Sequence, residues 1–175
     1  MHRFPACIAA AALALAAALP QATSAQSPQE AAAQNMQLAA EICLRNYRDP
    51  GATEPQFREA GFQVGPGMDA GSFEFSAPGG VMGIAAPAQG RSYCTVMSEQ
   101  VPLATAEAIG RALGERLFPG NVTAGSPEQQ AGSPVPPCGG LSIFAPQRLI
   151  RITYAQAGNS GECINDGTSA IIINM

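Results

Sequence analysis

Apolar positions recur along this chain with two different periods. Ala32, Met36, Ala39, Cys43 and Tyr47 follow one another at helical spacing, and Ser27-Pro28-Gln29-Glu30 ahead of them has the form of a capping box with proline at the first helical position. A helix is therefore predicted from residue 28 to Tyr47, ending before Asp49-Pro50-Gly51, with Glu41 four residues ahead of Arg45 for a surface ion pair. Residues 53–56 repeat the capping logic for a helix of one or two turns that buries Phe57 and stops at Gly61. A further helix over 102–117 would bury Ala106, Ile109, Leu113 and Leu117 and set Glu107 against Arg111.

Between the helices the period becomes two. Phe73 and Phe75 share one face of a strand at 72–76, and Ala77-Pro78-Gly79-Gly80 turns it into a strand at 81–85. A turn at 87–90 leads to 91–97, where Tyr93, Thr95 and Met97 share one face and Ser92, Cys94 and Val96 the other. Three more strands are predicted at 141–145, 148–154 and 168–174, the first two joined at Pro146-Gln147. Gly65-Pro66-Gly67 reads as loop, 121–140 as a long Pro/Gly/Ser-rich connection, and 156–167 as the loop before the last strand. Ile171-Ile172-Ile173 breaks the alternation and predicts a central strand covered on both sides.

Helix, short helix, three strands, helix, three strands is the order of an α+β fold. We expect a two-layer sandwich of about six mainly antiparallel strands with two main helices, two disulfides and a weak internal duplication of a helix-then-three-strand unit.

Residues 1–25 add an address. A positive start at Met1-His2-Arg3, an apolar run over 7–19, Pro20, and small residues at Thr23 and Ala25 have the form of a secretory signal cut after Ala25. The run is shorter than the roughly 20 residues that cross a bilayer, so no transmembrane anchor is expected. A single domain over 26–175, in the periplasm or outside the cell, follows. Cleavage would remove His2, the only histidine, and Cys7; lysine and tryptophan are absent throughout. Cys43, Cys94, Cys138 and Cys163 remain, an even set that reads as two disulfides in an oxidising compartment. Of the three pairings, Cys43 with Cys94 and Cys138 with Cys163 is preferred, because each closes a loop within its own half of the chain. Loop-closure entropy assigns them roughly 4 and 3.5 kcal/mol. No two cysteines form C-x-x-C, so a thioredoxin-like or zinc-knuckle site lacks its spacing.

This inventory narrows the chemistry. Without histidine or lysine, Ser-His-Asp, Cys-His and Ser-Lys arrangements have no general base. No phosphate-loop or dinucleotide fingerprint occurs, and no metal or cofactor is expected. A net charge of −4 offers no footprint for nucleic acid. Glu74 lies opposite Phe73 and Phe75 on its strand, but nothing in the sequence locates the second carboxylate a glycosidase needs. Asn165-Asp166-Gly167 reads as a turn rather than a calcium loop. Arg148 and Arg151 fall on opposite faces of one strand, with Arg151 sharing its face with Leu149. The expected function is a non-catalytic binding or interaction module of the cell envelope, meeting a protein or small ligand through its loops, 121–140 foremost. The alternative is a histidine-independent hydrolase or lyase, which would gather two or more of Asp69, Glu74, Glu99 and Tyr93 in one cleft.

Overall fold

The computed structural model describes residues 26–86, 91–129, 138–158 and 163–175. The expected leader with His2 and Cys7, the turn at 87–90 and part of the 121–140 connection lie outside them. Helices α1 (Pro28–Arg45) and α2 (Thr53–Glu59) precede strands β1 (Gln63–Pro66), β2 (Phe73–Ala77), β3 (Val81–Ala86) and β4 (Tyr93–Ser98). Helix α3 (Leu103–Leu117) precedes β5 (Val122–Ala124), β6 (Leu141–Ala145), β7 (Arg148–Ala155) and β8 (Ser169–Asn174). The strands form one antiparallel sheet in the order β1-β2-β3-β4-β8-β7-β6-β5. The first half is two helices and the second one helix, each followed by a four-strand meander, and the halves join where their last strands, β4 and β8, pair.

Eight strands replace the six expected. The additions are β1, which takes in the Gly65-Pro66 of the predicted loop, and β5, at the start of the 121–140 connection. Both are three- or four-residue edge strands without alternation, formed because β2 and β6 offer them a ladder. The 121–140 segment is therefore not loop throughout.

All three helices cover one face of the sheet, here called inner. The capping box at Ser27 and Glu30 starts α1 as predicted, and every member of its predicted apolar stripe is buried. Cys43 bonds to Cys94 of β4 across the two layers, with Cα atoms 6.2 Å apart, and Cys138 bonds to Cys163. Phe57 of α2 stacks on Phe75 at 4.0 Å between ring centroids and meets Phe62 and Phe73 edge-on. Thr53 lies within α2 rather than capping it, and no side chain caps that helix.

In α3 the predicted stripe is rotated. Leu103, Ala106, Gly110, Leu113 and Gly114 are the buried residues, while Ile109 and Leu117 pack at the margin of the core. Glycine supplies the close approach: a Cβ at Gly110 would stand 2.2 Å from the Tyr154 hydroxyl oxygen. Glu107 and Arg111 form no ion pair among the described residues. Glu41 instead bridges Arg45 and Arg116, linking α1 to α3.

β8 is central, as the Ile171–Ile173 run implied, and Ile171 and Ile173 are fully buried. Ile172 is only half-buried, because among the described residues the sheet face it occupies has no helix over it.

Candidate functional site

Register places the outer-face side chains in three transverse rows. The first reads Ser76, Met82, Met97, Ala170, Ala155 across β2, β3, β4, β8 and β7. The second reads Glu74, Ile84, Thr95, Ile172, Thr153. The third, Ala86, Tyr93, Asn174, Arg151, continues to Ser142 and Thr123 on β6 and β5. Directly opposed residues on neighbouring strands lie roughly 5 Å apart, so each row is a contiguous strip. The face therefore grades from thioether and methyl groups through β-branched residues to hydroxyl, amide and guanidinium.

Its two halves differ in cover. Ser142 is fully buried and donates a 2.7 Å hydrogen bond to the Gly125 carbonyl, and Ala155 and Ala170 are buried beside the start of the 156–168 loop. Glu128 reaches Arg151 from the β5–β6 connection. On the other half Met82 is 47% exposed and Met68, in the β1–β2 loop, 89%.

Two broad clefts result. One, of about 670 Å³, is lined by Met68, Glu74, Met82, Ile84 and Met97, among others. The second, of about 580 Å³, lies at the opposite end of the central strands between Arg91, Tyr93, Leu149, Arg151 and Asn174. Here the shared face of Arg151 and Leu149 finds its place: both line this cleft, while Arg148 pairs with Ala145 on the other face. Arg151 is held by Glu128, whose carboxyl the Ser126 hydroxyl bond, with Arg151 adding to it, keeps below the usual range. Arg91 makes no ion pair among the described residues. Ser92, 3% exposed, also lines the cleft, and its buried hydroxyl has no hydrogen-bond partner among the described residues.

The acidic candidates do not converge. Glu74 lies in the methionine cleft, Tyr93 in the arginine cleft, and Glu99 in a smaller one of about 190 Å³. Asp69 belongs to the β1–β2 loop, where its backbone is tied to the Ser72 hydroxyl. Asp166 accepts from the Thr168 backbone N–H and hydroxyl, so Asn165-Asp166-Gly167 is a turn closed by its own side chain; those bonds hold the Asp166 carboxyl below its ordinary value. No group of three or more His, Cys, Asp and Glu that could hold a metal occurs among the described residues. The four candidate cysteines are all engaged in the two disulfides, Cys43 with Cys94 and Cys138 with Cys163. No helix among the described residues is long and apolar enough to cross a membrane. Sequence reasoning missed the methionine and arginine clefts; the alternation in β4 had put Tyr93, Thr95 and Met97 on one face, but only long-range register brings their neighbours. Comparison with protein-family models, with curated proteins and with solved structures finds no match to this chain.

Proposed function

We propose that the chain is an exported, non-catalytic module of the cell envelope that docks an apolar surface of another protein on the outer face of β2, β3 and β4. The observation that carries this reading is the contrast between neighbours: Val81 is 1% exposed on the inner face, and Met82, one residue on, is 47% exposed. Met82, Met97 and Ile84 form one contiguous apolar strip with Met68 beside it, and such a strip marks an interaction surface. Methionine suits the task because its unbranched, polarisable side chain adapts to the surface it meets. The cleft is wide and shallow, which favours a protein surface over a small molecule that must be mostly enclosed. Export is supported by the leader-like segment 1–25 and by two disulfides, which persist in oxidising compartments. The hydrolase alternative lacks comparable support, since its acids lie in separate clefts.

The test is differential capture from envelope extract, with the wild-type chain and Met82→Glu run in parallel with Glu54→Gln as a surface control. Wild type and control are expected to retain the same partner and Met82→Glu to lose it, with all three melting alike. Equal capture by all three, or reproducible turnover by the purified protein, rejects the proposal.

A further inference from the structure

The arginine cleft has chemistry of its own. Tyr93, Asn174 and Arg151 stand side by side on β4, β8 and β7, each directly opposite the next. Arg91 and Leu149 lie two residues before Tyr93 and Arg151, and so share their face, one strand step further along. The cleft thus presents two guanidiniums, a phenol and an amide above the apolar sides of Tyr93 and Leu149. Against these stand two carboxylates, Glu128, bound at the rim to Arg151, and the terminal carboxylate of Met175, which also lines the cleft beside Ser92. Arg91 forms an ion pair with neither among the described residues, in a recess of about 580 Å³.

We infer that this cleft is an anion site taking a carboxylate attached to a small apolar group, with Arg91 as primary anchor and Arg151 as the second cation. A planar guanidinium pairs with a carboxylate through two parallel N–H donors, and the Tyr93 hydroxyl and Asn174 amide offer further donors along the row. Tyr93 and Leu149 receive the apolar portion. Glu128 occupies the Arg151 guanidinium when the cleft is empty, so it competes with the incoming carboxylate. The inference extends the binding reading above: the carboxylate either belongs to a free small molecule or is an acidic side chain of the docked protein. Rows one and three are four residues apart along a strand, so a docked protein would carry that acid about 13 Å from the apolar group on Met82 and Met97.

Benzoate is the probe, with benzamide as its neutral counterpart, each titrated into the purified chain and followed by backbone amide shifts. Benzoate is expected to move the amides of Arg91, Tyr93, Arg151 and Asn174, benzamide to leave them, and added salt to weaken the response. Arg91→Gln should lower benzoate affinity about tenfold, the scale of one partly screened charge-assisted hydrogen bond, and Arg91→Lys should lower it less. Glu128→Gln should raise affinity severalfold by freeing Arg151, a gain that misfolding cannot produce. Benzoate moving the spectrum no more than benzamide, or Arg91→Gln and Glu128→Gln both leaving affinity unchanged, overturns the anion site. If Arg91→Gln also abolishes partner capture, the carboxylate is the partner's; if capture persists while benzoate binding falls, the ligand is free. Capture lost in Met82→Glu without any benzoate response rejects this site alone, and a benzoate response without capture rejects the docking face alone.

Discussion

The two halves of the sheet share a plan and differ in how each is finished. In the first, a disulfide joins helix to sheet, Cys43 to Cys94, and the outer face stays open. In the second, the disulfide joins Cys138, ahead of β6, to Cys163 in the β7–β8 loop, while α3 is seated by glycines and the outer face is partly buried. A covalent tie between layers fixes α1 to β4, and the β2–β3 turn also comes close to that helix, with Gly79 against the backbone of Ala32. The second half has its cross-link between loops instead, and there Gly110 lets α3 settle onto Tyr154. The methionine strip lies on the half whose layers are stapled, while on the other half Phe144 and Thr153 stay exposed and Ser142, Ala155 and Ala170 are covered.

Breaking the staple should have the largest effect. Replacing Cys43 and Cys94 together with alanine removes a cross-link spanning 51 residues, and unfolding in denaturant should show a loss of about 4 kcal/mol. Removing Cys138 and Cys163 opens a 25-residue span and should cost about 3.5 kcal/mol by the same entropy. The contrast lies in where the damage falls. Amide exchange should quicken more in α1 than in α3 in the first variant, and by equal amounts in α1 and α3 in the second. The same balance between α1 and α3 in both would erase the proposed division between a layer tie and a loop tie.

The glycine seat comes next. Gly110→Ala must displace Tyr154, whose hydroxyl oxygen would lie 2.2 Å from the new methyl, and overpacking of this kind costs about 2 kcal/mol. At Gly114 the nearest atoms would be 3.4 Å away, so Gly114→Ala should be neutral or stabilising by up to about 1 kcal/mol, since alanine favours the helix. A pH scan probes the same contact. Burial first, with the Glu107 charge adding and Arg111 opposing, drives the Tyr154 phenol well above its ordinary range. A folded pKa above the unfolded one gives stability that is complete below about pH 10 and is lost as pH rises beyond it. Wild type should lose stability from about pH 10 upward more steeply than Tyr154→Phe; parallel curves would refute the buried phenol.

These contacts also show what a sequence can reveal. The capping box and apolar stripe of α1 were readable because they are local and made of side chains with strong preferences. In α3 the face that packs closest contains Gly110 and Gly114, which give no hydrophobic signal, so periodicity pointed to Ile109 and Leu117 instead. β1 and β5 were invisible because their stability resides in the partner strand. The disulfide pairing followed from loops closing within halves. Alternation gave the face of Tyr93 and Met97, but the arginine cleft needs Asn174 of β8 to stand between Tyr93 and Arg151, a register more than 70 residues from β4 in sequence.

The smallest effects test the outer face itself. Ser142→Ala removes the hydroxyl that satisfies the Gly125 carbonyl under the covered half, and losing that buried bond should cost about 1 kcal/mol in thermal or denaturant unfolding. Met82→Gln, at an exposed position on the same sheet face, should change stability by no more than about 0.5 kcal/mol. Val81→Ala beside it should cost about 2 kcal/mol, because Val81 is 1% exposed and faces the core. The order Val81, Ser142, Met82 is the consequence of an inner-face position closed by helices, an outer-face position covered beside Gly125, and an outer-face position left open. A loss at Met82 matching that at Ser142 would mean that the open half is covered in solution. The methionine strip would then be part of the core rather than a surface available to a partner.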